Sequence, residues 1–141
     1  MVKIQKKIHY KGTILVEAAI VFPLLLLLTL GAIEYGWIFL KSQQITNAAR
    51  QAARVAIRPD ATTQDVLDTI DRLMTAADMA GKYDPPEITP GVSVGPCISI
   101  TVKITVPCAN IALINAPDFL PIPEKLRAAV TMSKEGPSGG L

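Results

Sequence analysis

Asp65, Asp68 and Asp71 recur every three residues, a spacing that sets three carboxylates along one helix face and could hold a cation loosely. A solvated acidic face is the commoner use of such a run. Two more carboxylates, Glu17 and Glu34, flank a long apolar stretch and stand too far apart along one helix to act as a general acid and base. The single histidine, His9, lies in a basic leader. Cys97 and Cys108 have no zinc-ligand spacing, no glycine-rich loop opens a helix, and no nucleophile has a base in a known pattern. The sequence therefore predicts a protein that is not an enzyme and that carries no metal or cofactor.

The element that must position everything else is residues 12–40. Residues 18–33 carry no charge. With Tyr35, Trp37 and Phe39 the apolar segment is about 23 residues, or ~34 Å as a helix. That matches a hydrocarbon core of ~30 Å with some tilt. Lipid offers the backbone no partners, so the segment must be helical. Lys3, Lys6, Lys7 and Lys11 precede it and only Lys41 follows closely, which places the N-terminus in the cytoplasm and the bulk of the chain outside. A cleaved signal peptide is the rival reading. Its apolar region runs ~7–15 residues, shorter than this one, and Leu30-Gly31-Ala32 is a poor cleavage site.

The chain has 141 residues, enough for the span and one small domain. Its net charge of +2 misleads, because four basic residues precede Gly12 and the remainder sums to −2. The basic excess is an orientation signal and not a nucleic-acid footprint.

In order, residues 1–12 are a cytoplasmic leader, 13–40 the transmembrane helix, 41–58 its continuation outside, 59–135 a small α+β domain and 136–141 a flexible tail. Glu17 at the start of the span is either a functional group or a harmless resident of the inner headgroup zone. Pro23 favours a kink. Ala32 and Gly36 form a small-xxx-small pair that admits a neighbouring helix. Beyond the span, Ile45, Ala48, Ala49, Ala52, Ala53 and Ala56 share one face, while Arg50, Arg54 and Arg58 repeat on the opposite one. The alanines allow close packing, and the arginines are a solvated face or a partner contact. Pro59 ends this helix, and Thr62 or Thr63 caps a second whose stripe is Val66, Ile70, Leu73, Met74 and Ala77, with Gly81 as its stop. Residues 87–94 form a possible strand weakened by Pro90 and Gly91. Residues 98–106 alternate strictly and form a half-buried strand. Residues 124–133 form the last strand, antiparallel to it. The apolar connection at 109–123, with Phe119 and Leu120, is a flap over the core or a docking surface.

A helical rod and a second helix on a small antiparallel sheet of two to three strands make an α+β fold. Cys97 and Cys108 flank a strand. Eleven residues of extended chain span ~35 Å, whereas a disulfide needs Cα atoms within ~7 Å, so the two are not expected to pair with each other.

Gly12-Thr13-Ile14-Leu15-Val16-Glu17, with a basic leader before it and a long apolar helix after it, resembles the prepilin-peptidase site of the type IV pilin superfamily. Residues 12–27, then Glu34-Tyr35-Gly36, then the segment from Ala49 to Arg54, resemble the TadE-like family of minor pseudopilins of the tight-adherence (Flp) pilus. The strand from Ala128 to Glu135 fits that family's closing strand more loosely. The resemblance implies cleavage between Gly12 and Thr13 and pairing of Glu17 with the amino terminus of a neighbouring subunit. Thr13 stands where type IV pilins usually carry Phe, which bears on terminal methylation more than on cutting. It also implies an inner-membrane, single-pass protein that supports surface attachment. Its partners would be the bilayer, other pilin-like subunits, the prepilin peptidase and the inner-membrane assembly platform. An unprocessed membrane scaffold of the same secretion apparatus is the alternative. An anchored exported enzyme is a third reading, disfavoured by the missing catalytic groups.

Overall fold

The computed structural model describes residues 10–90, 98–113 and 122–134. The chain divides into two units, Met1–Ile33 and Glu34–Leu141, and helix α1 (Tyr10–Ala56) contributes to both. Gly12 lies within this helix.

In the first unit every described side chain from 12 to 30 is exposed. Thirteen of the residues between Ile14 and Ile33 are large and apolar, and Leu24 and Leu28 are 63% and 68% exposed. Each such side chain gains ~1.5 kcal/mol or more on leaving water. Left in water, this surface would cost the fold on the order of 20 kcal/mol, more than a small domain's whole stability. The helix is long and apolar enough to cross a membrane, and its most apolar stretch is almost wholly unburied. Pro23 lies inside it.

The second unit is a layer of helix on sheet. Strand β1 (Glu87–Pro90) pairs antiparallel with β2 (Ile98–Pro107), and β2 pairs antiparallel with β3 (Lys125–Lys134), giving the order β1-β2-β3. Pro90 sits on the edge strand, where a missing N–H is tolerated. Val102, Ile104 and Val106 are fully buried on one face of β2. On the other face the Thr101 and Thr131 hydroxyls meet at 2.8 Å, and Lys103 pairs with Glu87 at 3.0 Å, both across register-matched positions. Ile45, Ala48, Ala49, Ala52 and Ala53 of α1, and Val66, Ile70 and Met74 of α2 (Thr63–Ala76), complete the core. A run of methyl groups lets the α1 backbone come close to its neighbours without voids.

Thr62 caps α2. Its hydroxyl accepts the Asp65 N–H at 3.2 Å while the Asp65 carboxylate accepts the Thr62 N–H at 2.8 Å, a reciprocal capping box. The far end departs from expectation. Gly81 does not stop α2; the helix ends at Ala76, and Asp78 takes the left-handed conformation with φ 56°. The Met79 N–H bonds the Met74 carbonyl at 2.8 Å and the Asp78 N–H bonds that of Thr75 at 3.0 Å, a Schellman motif. Burial of Met79 against the core sets that stop, and Gly81, φ +66°, serves the following turn.

The last part of the strand expected at 87–94, the larger part of the connection at 109–123 and the tail at 136–141 lie outside the described residues, as do Cys97, Phe119 and Leu120. The connection's start is described: a 3₁₀ turn at Cys108–Asn110, then buried Ile111.

Candidate functional site

Gly12, Thr13 and Glu17 lie on exposed helix, and a side-chain atom added at Gly12 would meet nothing within 4 Å. Ala32 and Gly36 are exposed, with the same open space at Gly36. Ala48, Ala49, Ala52 and Ala53 are instead taken up by the chain's own core, with Ala56 packed at its margin. Arg50, Arg54 and Arg58 are exposed. Arg58 and Arg72 share an open groove of about 470 Å³ with Asp60, Asp65 and Asp68, so part of their charge is offset within the chain. Among the described residues neither Arg50 nor Arg54 enters an ion pair. Cys108 is a buried free thiol.

Where α1 enters the second unit, three polar side chains project from the core-facing side at i, i+3 and i+7. Glu34 is fully buried, and its Oε1 accepts the Leu113 N–H at 3.1 Å. Trp37 donates its indole N–H to the Ile111 carbonyl at 2.8 Å. Lys41, 4% exposed, donates from Nζ to the carbonyl of Ala77, the C-cap residue of α2. A cation suits that position, because the terminal carbonyls of a helix carry partial negative charge. The same Nζ lies 4.7 Å from the Trp37 ring centre, within cation–π range. The turn receiving the first two bonds is held in turn: Ile111 and Ala112 N–H both bond the Cys108 carbonyl, and Cys108 N–H bonds that of Glu124. One helix face thus clamps the turn after β2 and the end of α2.

This clamp was not foreseen. Glu34, Trp37 and Lys41 read from sequence as the rim of a span. The signal was there in Glu34, Ile38, Lys41 and Ile45, which extend the alanine stripe backwards at helical spacing.

Among the described residues outside the span, three groups have shifted titration. The backbone N–H of Thr62, then its hydroxyl and the nearby Arg58 charge, hold Asp65 below the usual carboxylate range. Burial pushes the Tyr83 phenol up, helped by its bond to Asp71. Burial also raises the Cys108 thiol, partly opposed by a backbone hydrogen bond from Leu126. A thiol kept protonated and buried is a poor nucleophile.

Among the described residues, one helix is long and apolar enough to cross a membrane, and it runs on into the core of a small α+β domain, an arrangement compatible with a single-pass membrane protein. Residues 12–54 match the family model described as TadE-like protein, so this part of the chain is a TadE-like segment. No curated protein and no solved structure matches the chain.

Proposed function

We propose that this chain is a minor pilin-like subunit that assembles with a tight-adherence-type pilus and supports surface attachment. The match to TadE-like proteins carries this reading, because it begins at Gly12, passes through Glu17 and the apolar helix, and ends in the alanine face. Its role is structural, not enzymatic, and needs no cofactor. The lysines before the span favour a cytoplasmic N-terminus at the inner membrane, with the folded domain on the other side.

A prepilin peptidase cuts between Gly12 and Thr13. Glycine in a helix costs ~1 kcal/mol relative to alanine, and that weakness lets the turns around Gly12 unwind for cutting. The new ammonium on Thr13 and the carboxylate of Glu17 on a neighbouring subunit neutralise each other. Either alone in lipid is expensive. Ala32 and Gly36, with open space around them, admit the neighbour's helix closely. The assembly platform and other pilin-like subunits are the remaining partners.

Mass spectrometry of protein extracted from membranes tests the reading. The chain is expected to begin at Thr13, and Gly12→Ala to leave it at full length; cutting that persists in the variant would refute the processing claim. Glu17→Ala is expected to insert normally and to fail in pilus assembly, and normal piliation would remove the role given to Glu17.

A further inference from the structure

Glu34 is the first ionisable residue after the uncharged run 18–33, so on the single-span reading it stands at the edge of the hydrocarbon core. Its carboxylate points into the folded domain and holds the Leu113 N–H at 3.1 Å. The turn carrying Leu113 is therefore fixed at the height of Glu34, and the Trp37 bond to the Ile111 carbonyl fixes it a second time. Leu113 itself is 54% exposed. On the helix, Tyr35, Phe39 and Leu40 are 46%, 66% and 47% exposed. Residues 34–39 rise ~7.5 Å, within an interfacial layer about 5–8 Å deep. Apolar side chains from two separate parts of the folded unit thus stand exposed within one such layer.

We infer that the turn carrying Leu113 is a lipid-contact site: the folded domain rests on the leaflet, with Leu113 inserted at the boundary between acyl chains and headgroups. The contact is apolar. Lys41, the nearest cation in sequence, is 4% exposed and committed to the Ala77 carbonyl, so it offers anionic headgroups no grip. Tyr35 and Trp37 add the aromatic character typical of that layer.

The test uses the full chain in phosphatidylcholine vesicles, in a Cys97→Ser, Cys108→Ala background, with an environment-sensitive fluorophore on Leu113→Cys. The expected result is blue-shifted emission, quenching by lipids spin-labelled near the headgroup and resistance to iodide, unchanged when anionic lipid is added. The same label at Gln64→Cys, on exposed α2, is expected to be quenched by iodide. A label at Leu26→Cys reports the span itself. If Leu26 is lipid-quenched while Leu113 is open to iodide, the contact is overturned and the span stands; if Leu26 is open to iodide, both fall. A Leu113 label shielded from both quenchers points to a protein neighbour and also overturns the contact. A second route needs no cysteine change. Trp37 is the only tryptophan, and its quenching by brominated lipid is expected to fall in Leu113→Asp. Unchanged quenching would count against the contact.

Discussion

Residues 14–33 and 34–56 belong to one unbroken helix, and they obey different rules. In the first stretch, side chains through Leu30 are exposed all the way round and, Glu17 and Thr29 apart, the composition is apolar or small. In the second, burial follows the helical period: Glu34, Ile38, Lys41, Ile45, Ala48, Ala49, Ala52 and Ala53 are covered, and Tyr35, Phe39, Gln43, Asn47, Arg50 and Arg54 are not. The backbone is the same in both. The difference is the solvent each stretch was built for. Lipid asks only that a helix be apolar and satisfy its own hydrogen bonds. A folded domain asks for shape, so the second stretch exchanges leucines for alanines and spends its polar residues on named backbone atoms.

That contrast is sharpest in its response to added bulk. Ala52 and Ala53 are fully buried beneath the sheet, and Ala52→Leu is expected to destabilise the domain by about 3 kcal/mol through overpacking. Leu26→Ala in the bare stretch should change domain stability by less than ~0.5 kcal/mol. Urea unfolding in micelles, followed by near-ultraviolet circular dichroism, compares the two; equal losses would erase the distinction.

Next comes the clamp. Glu34→Ala leaves the Leu113 N–H without its carboxylate and is expected to cost about 2 kcal/mol. The same melts measure it, and a neutral outcome would mean that the polar face of α1 is incidental.

Smaller effects lie at the two ends of α2. Thr62→Ala should cost about 1 kcal/mol. The capping box also has a pH signature. The Asp65 carboxyl is lowered from 3.8, so its stabilisation is present above that value and is lost as pH falls through the lowered one. Thr62→Ala should therefore flatten the acid limb of the stability profile, and an unchanged limb would speak against the cap. Smallest is Asp78→Gly, which relieves a left-handed backbone at φ 56° and should raise stability by about 0.5 kcal/mol, read as a small rise in melting temperature.

The sequence told the two stretches apart more readily than it told how the second is fastened. Strict alternation marked β2 and its partner, the alanine row marked the covered face of α1, and Val66, Ile70 and Met74 marked that of α2. In each the signal is a repeat that burial imposes along one element. The clamp was illegible for a physical reason. The acceptors and donors for Glu34, Trp37 and Lys41 are backbone groups of Leu113, Ile111 and Ala77, and a backbone group leaves no trace in residue identity. The end of α2 was misplaced for a related one: Gly81 advertised a stop, while the actual stop uses Asp78 because Met79 must turn inward. Gly12, Thr13 and Glu17 stood out only through the resemblance they carry together with the basic leader and the apolar helix, and the structure adds that they lie on exposed helix.

Hydrogen exchange of the full chain in lipid nanodiscs, taken through a urea titration that unfolds the domain, tests the two-solvent account most directly. Amides of residues 14–33 are expected to stay protected throughout, while those of 34–56 lose protection together with β2 and β3. Loss of protection along the whole of α1 in a single transition, or rapid exchange within 14–33 before any urea is added, would contradict it.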